Sequence, residues 1–127
     1  MNLEKVIFGF VIVLAATLNF GFVVGDFDNP AHHHVGELFA AIVVNLIATV
    51  LKFGDRTQVG AIHLSTSLVS DVQLLIAASV WAWAVHVSGA GFSPEVTASV
   101  VSLSAGALFA NVISVVILIG ETLMLRR

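Results

Sequence analysis

A run of imidazole, hydroxyl, carboxyl and amide side chains interrupts a very apolar stretch of this chain: His63, Thr66, Ser67, Ser70, Asp71 and Gln73. At about 100° per residue, His63, Thr66, Ser67 and Ser70 fall on one helical stripe, with Asp71 and Gln73 flanking it on either side. Such a stripe suits ion chemistry. Hydroxyl oxygens are exchangeable cation ligands, a carboxyl supplies attraction or carries a proton, and histidine titrates near physiological pH. An ionised carboxylate in hydrocarbon costs several kcal/mol or more unless water, a cation or a hydrogen-bond partner compensates. Asp71 is therefore expected to hold its proton, to face a hydrated path, or to meet Asn45 or Asn111. Asn45 extends the polar lining, with Thr49 four residues on. His63 reads either as a satisfied interface histidine or as a proton-sensitive gate.

A second cluster lies in Asp26-Phe27-Asp28-Asn29-Pro30-Ala31-His32-His33-His34-Val35-Gly36-Glu37. His33 and Glu37 are four apart, and zinc accepts imidazole and carboxylate ligands. Three consecutive histidines cannot converge on one centre from a helix, and no HExxH sequence is present, so the metal reading of His33 and Glu37 is the weaker one. The competing reading is a polar interfacial loop whose acids raise local cation concentration.

These residues need elements to position them, and composition says which. Of 127 residues, 58% are apolar and 10% charged, with a mean hydropathy of +1.04. Soluble domains have about 25% charged residues, so a soluble enzyme is not expected. A net charge of −3 offers no basic surface for nucleic acid, and zero cysteines exclude disulfides and thiolate sites. A membrane helix needs about 20 mostly apolar residues. Stretches near 6–25, 35–53, 59–87 and 96–125 meet that need, separated by turn-forming Gly, Asp, Asn and Pro. They predict an all-α, four-transmembrane-helix bundle forming a single transmembrane domain.

Lys5, Lys52, Arg56, Arg126 and Arg127 all fall on one side of a four-span chain. The opposite loops hold Asp26, Asp28 and Glu95 without Lys or Arg. The positive-inside rule then puts both termini in the cytoplasm. Trp83 near the other boundary places Asp71 roughly 18 Å deeper, just past the midplane.

Small residues recur every four positions at Ser102, Gly106, Ala110 and Ser114, and at Thr17, Gly21 and Gly25, the pattern of close helix packing in lipid. Such seams make self-association plausible. Glu121 is placed to pair with Lys5 or a terminal arginine. Thr57-Gln58-Val59-Gly60-Ala61 has a faint likeness to a potassium filter, but it lacks the Tyr and falls at the cytoplasmic end, so it is set aside.

The run from Glu37 to Trp83, with GDRTQVGA and LSTSLVSDVQL as its distinctive pieces, resembles an uncharacterised family of small bacterial four-span membrane proteins. The N-terminal MNLEKVIFGF and DNPAHHH share the likeness. The resemblance implies a multi-pass protein of the bacterial inner membrane and brings no activity with it.

The leading expectation is a small oligomeric cation channel whose third span lines the path. It needs no organic cofactor, only a monovalent or divalent cation, and catalyses no reaction. Its partners are the lipid bilayer and copies of itself. Two alternatives stand beside it: an accessory or scaffold subunit of a larger membrane complex, and a proton-coupled transporter using Asp71.

Overall fold

The computed structural model describes residues 3–24, 35–55, 57–89 and 93–125. Four helices carry the chain: α1 (Leu3–Val23), α2 (Val35–Phe53), α3 (Gln58–Ala82) and α4 (Pro94–Leu125). All four are long and apolar enough to cross a membrane, and no strand occurs among the described residues. The chain is a multi-pass membrane protein. In lipid the backbone must satisfy its own hydrogen bonds, which favours uninterrupted helices.

Local sequence sets the helix ends. Thr57 caps α3 by accepting a hydrogen bond from the Gly60 N–H at 2.9 Å. Asp55 supports this cap: its Oδ1 accepts from the Thr57 N–H at 2.9 Å and from Thr57 Oγ1 at 2.7 Å. The Thr57–Ala61 segment is thus a helix start. Its Gly60 leaves room for the Asp55 carboxyl, which a Cβ would overlap. These Thr57 hydrogen bonds, the side-chain bond first, hold the Asp55 carboxyl below the usual carboxylate range. Pro94 opens α4, where a missing N–H costs nothing, and Ser93 Oγ accepts from the Val96 N–H at 3.3 Å.

The expected spans agree with the helices to within a few residues, and the differences have causes. Helix α1 starts at Leu3 rather than residue 6, because Glu4 and Lys5 sit in its first turn at the membrane edge. The third span continues beyond α3 as one π-helical turn, Trp83–Val87, closed by a Ser88 N–H to Trp83 O bond of 2.8 Å. Gly89 then ends it with φ +72°, a conformation that glycine adopts without steric cost.

Cross-helix pairs fix an up-down-up-down arrangement. Helices α1 and α4 meet at Lys5–Glu121, 3.3 Å apart. Helices α1 and α2 meet where the Lys52 Nζ stands 4.3 Å from the Phe8 ring centre. Helices α2 and α3 meet at Phe39 and Trp81, with ring centres 5.6 Å apart. The α3–α4 interface is the most extensive; successive helices pack on one another, and α1 packs on α4 to close the ring.

The interior is layered. At the end holding the C-terminus of α1, an apolar cluster joins Phe22, Leu38, Ala41, Leu74, Ala77, Val100 and Val101. At the basic end a second cluster joins Phe8, Val11, Ile12 and Ala48. Polar side chains on all four helices lie buried along the stretches between them. The outside is the reverse: Phe10, Phe20, Val50, Val72, Phe109 and Val116 are exposed, as a lipid-facing surface requires.

Candidate functional site

The buried polar residues of α3 are His63, Ser67, Ser70 and Asp71. They span an arc of about 100° of the helix surface, with Ser70 at one edge and Asp71 at the other. Each edge meets a different helix. Ser70 Oγ approaches the Ala107 carbonyl and Asn111 Oδ1 of α4, both at 3.0 Å. Asp71 turns toward α2, where Thr49 Oγ1 donates to its Oδ2 at 2.5 Å. Thr49 Oγ1 also lies 3.0 Å from its own helix at Asn45 O. The partner of Asp71 is thus Thr49, not Asn45 or Asn111. Asn45 donates to Ala41 O at 2.8 Å within its own helix.

His63 is fully buried at the lower end of the arc. Its Nδ1 stands 2.6 Å from Ser114 Oγ of α4. Phe8 packs edge-on against the imidazole, with ring centres 4.9 Å apart. Phe8 also lines a cleft of about 610 Å³ at the basic end, together with Glu4, Ile7, Leu51, Lys52, Gly54 and Asp55. Lys52 reaches Asp55 at 3.5 Å there.

Asp71 is 6% exposed, and Asn45, His63, Ser67 and Ser70 are equally enclosed. These five predicted site residues do come together in the interior. Thr66 and Gln73 do not. They lie about 60° and 80° from His63 on the α4 side of the arc, at the margin of the α3–α4 interface, and line an outward groove there, although Gln73 Oε1 is itself enclosed and without a partner among the described residues. Thr66 Oγ1 donates to the His63 carbonyl at 2.9 Å, and the Gln73 side chain fills the space over Gly106 that a Cβ would occupy.

Within the single chain the small residues of α4 differ in burial. Ala110 and Ser114 are buried and Gly106 is half-buried, but Ser102 is exposed. Residues four apart drift by about 40° per step, so the stripe rotates out of the interface toward its N-terminal end. On α1, Gly21 is covered by the Glu37 carboxyl, which a Cβ would overlap. Gly25 and His33 lie outside the described residues. Glu37 is thus a packing neighbour of Gly21, and no cluster of three His, Cys, Asp or Glu side chains occurs among the described residues. The expected Lys5–Glu121 pair is present.

Several interior groups have no hydrogen-bond partner among the described residues: both side-chain ends of Asn19, Asn45 Oδ1, His63 Nε2, Ser67 Oγ, Asp71 Oδ1, Ser104 Oγ and Asn111 Nδ2. Every helix contributes at least one. Buried polar groups are ordinarily satisfied, because an unsatisfied one costs about 1–3 kcal/mol. Sequence reading left Ser104 unremarked, since one serine in an apolar helix is unremarkable until its neighbours are known.

The fold and this interior define a class: a small four-helix membrane bundle with a polar layer built around one carboxyl. Residues 32–122 match the model of a family described as a family of unknown function (DUF6394), and the chain belongs to that family. No curated protein and no solved structure matches the chain.

Proposed function

We propose that the protein is a small cation-translocating protein of the bacterial inner membrane, with both termini in the cytoplasm. Its path runs through the interior of each four-helix unit, and Asp71 is the group the cation meets. The observation that carries this reading is the set of enclosed polar atoms without partners, contributed by all four helices, with Asp71 among them. Water satisfies such groups, and a cation satisfies the oxygens among them; an intramembrane acid is by default a functional residue, with ion and proton pathways among its roles.

The neighbours of the α3 arc are α2 and α4 of the same chain. This supports a path inside the unit over a ring of Asp71 residues about an oligomer axis, and over a contact with an accessory partner. Self-association then sets assembly in the bilayer and leaves each unit its own path. No reaction is catalysed in this reading, and no organic cofactor takes part.

The test is flux from the purified protein in liposomes under proton, sodium and potassium gradients, with wild type and Asp71→Asn compared. Wild-type flux that falls in the variant is expected. Absence of flux under every gradient would overturn the proposal.

A further inference from the structure

His63, Ser67 and Asp71 are spaced i, i+4, i+8 on α3, and each presents a buried atom without a partner among the described residues: Nε2, Oγ and Oδ1. We propose that these three side chains form a proton relay and that the translocated cation is the proton. The inference rests on the reading of the bundle interior as a cation path.

The remaining atoms of both end groups are already engaged. His63 Nδ1 is held by Ser114, either donating to the hydroxyl or accepting from it, so Nε2 is the atom left for transfer. Asp71 Oδ2 is closed by Thr49, which leaves Oδ1. Ser67 lies between them, one helical turn from each. Side chains four apart on a helix are separated by about 5–6 Å at Cβ, a gap that one water spans with a hydrogen bond at each end. Each such water has a polar group of α3 on both sides, the minimum it needs.

The transfer balances without redox chemistry. With Nδ1–H donating to Ser114, a proton binds the free lone pair of His63 Nε2 to give the imidazolium. Nε2 then passes it to the Ser67 hydroxyl, which gives up its own proton to the ionised Asp71 Oδ1. His63 and Ser67 so return to their starting forms, and Asp71 is ionised again when its proton leaves toward the opposite face. Every heavy atom is unchanged. Calcium and magnesium, by contrast, take about six or more oxygen ligands, whereas one free carboxyl oxygen suffices for a proton. The entry end abuts the cleft at the basic end through Phe8, which lines the cleft and touches the imidazole.

The charges acting on His63 come from every side: Lys5 on α1, Lys52 on α2, Asp55 before α3 and Glu121 on α4. Two of them are cationic and two anionic. Asp71 has no such charged neighbour among the described residues, and Thr49 is its one polar contact.

The test uses the full chain in phosphatidylethanolamine–phosphatidylglycerol vesicles with a pH dye trapped inside, and separate sodium and potassium flux assays. Wild type is expected to pass protons and neither metal cation. Ser67→Ala is expected to lower proton flux by at least about tenfold, Ser67→Thr to retain it through its hydroxyl, and His63→Gln to lower it while keeping a polar group. Circular dichroism and elution profile confirm that each variant is folded. Sodium or potassium flux that falls in Asp71→Asn but is unchanged in Ser67→Ala and His63→Gln would overturn the relay and leave the cation path standing. No flux of any cation would overturn both.

Discussion

Thr49 on α2 and Asp71 on α3 are joined by a 2.5 Å hydrogen bond between side chains that are both buried in the bundle. It ties two helices together at the carboxyl on which the proposed path turns. Thr49→Val keeps the shape of the side chain and removes the donor. It is expected to destabilise the protein by about 1–3 kcal/mol, because the carboxyl oxygen loses its partner. Thr49→Ser should cost less. A double-mutant cycle with Asp71→Asn, read by denaturant unfolding in detergent, should give a coupling of about 1–2 kcal/mol. Additive single effects would show that the pair does not stabilise the α2–α3 contact.

Gly106 tests the α3–α4 interface. Its surface is occupied by Gln73. In Gly106→Ala the flexible end of Gln73 can swing into the outward groove, so little stability should be lost. In Gly106→Leu the added carbons must displace α3 itself, at an expected cost of about 1–3 kcal/mol. Thermal unfolding of the two variants side by side checks this. Equal loss in both would mean that Gln73 is fixed over the glycine.

The α2–α3 turn gives a pH dependence. The Asp55 carboxyl is held low mainly by the hydrogen bonds from Thr57, so its stabilisation is present above the ordinary carboxylate pKa of about 3.9. It is lost as pH falls through the lowered value. Hydrogen exchange of the Thr57 and Gly60 amides should therefore differ between wild type and Asp55→Asn at neutral pH and converge in strong acid. Thr57→Ala should weaken the start of α3 by about 1 kcal/mol through loss of its cap. A wild-type turn whose protection is flat down to the most acid pH would contradict this assignment.

Phe8 is 1% exposed and stands between the basic-end cleft and His63. Phe8→Ala is expected to cost about 3–5 kcal/mol in unfolding free energy and to open His63 to the cleft. Nuclear magnetic resonance of a sample labelled in histidine would show this as faster imidazole N–H exchange. An imidazole signal unaltered by the substitution would mean that another side chain shields His63.

Four helices and the inward placement of most of the third-span polar residues were legible from the chain alone. Long apolar runs in lipid have one economical solution, and helical geometry assigns side chains to faces whatever the neighbours are. The same geometry even separated Asp71 from Gln73, at opposite edges of one arc. It could not say where the α3–α4 interface ends, so it did not show that Thr66 and Gln73 line the outward groove, with Gln73 Oε1 enclosed over Gly106.

What tertiary structure decided was the pairing. Thr49 rather than Asn45 or Asn111 takes Asp71, Asn111 takes Ser70, and Ser114 takes His63. Ser102 is exposed within the chain, whereas Ala110 and Ser114 of the same spacing are buried. The reason is physical: periodicity fixes angle around one helix axis, whereas a hydrogen bond also depends on the height and rotation of the neighbouring helix. Those are set by how side chains such as Gln73 over Gly106 and Glu37 over Gly21 pack across the interfaces.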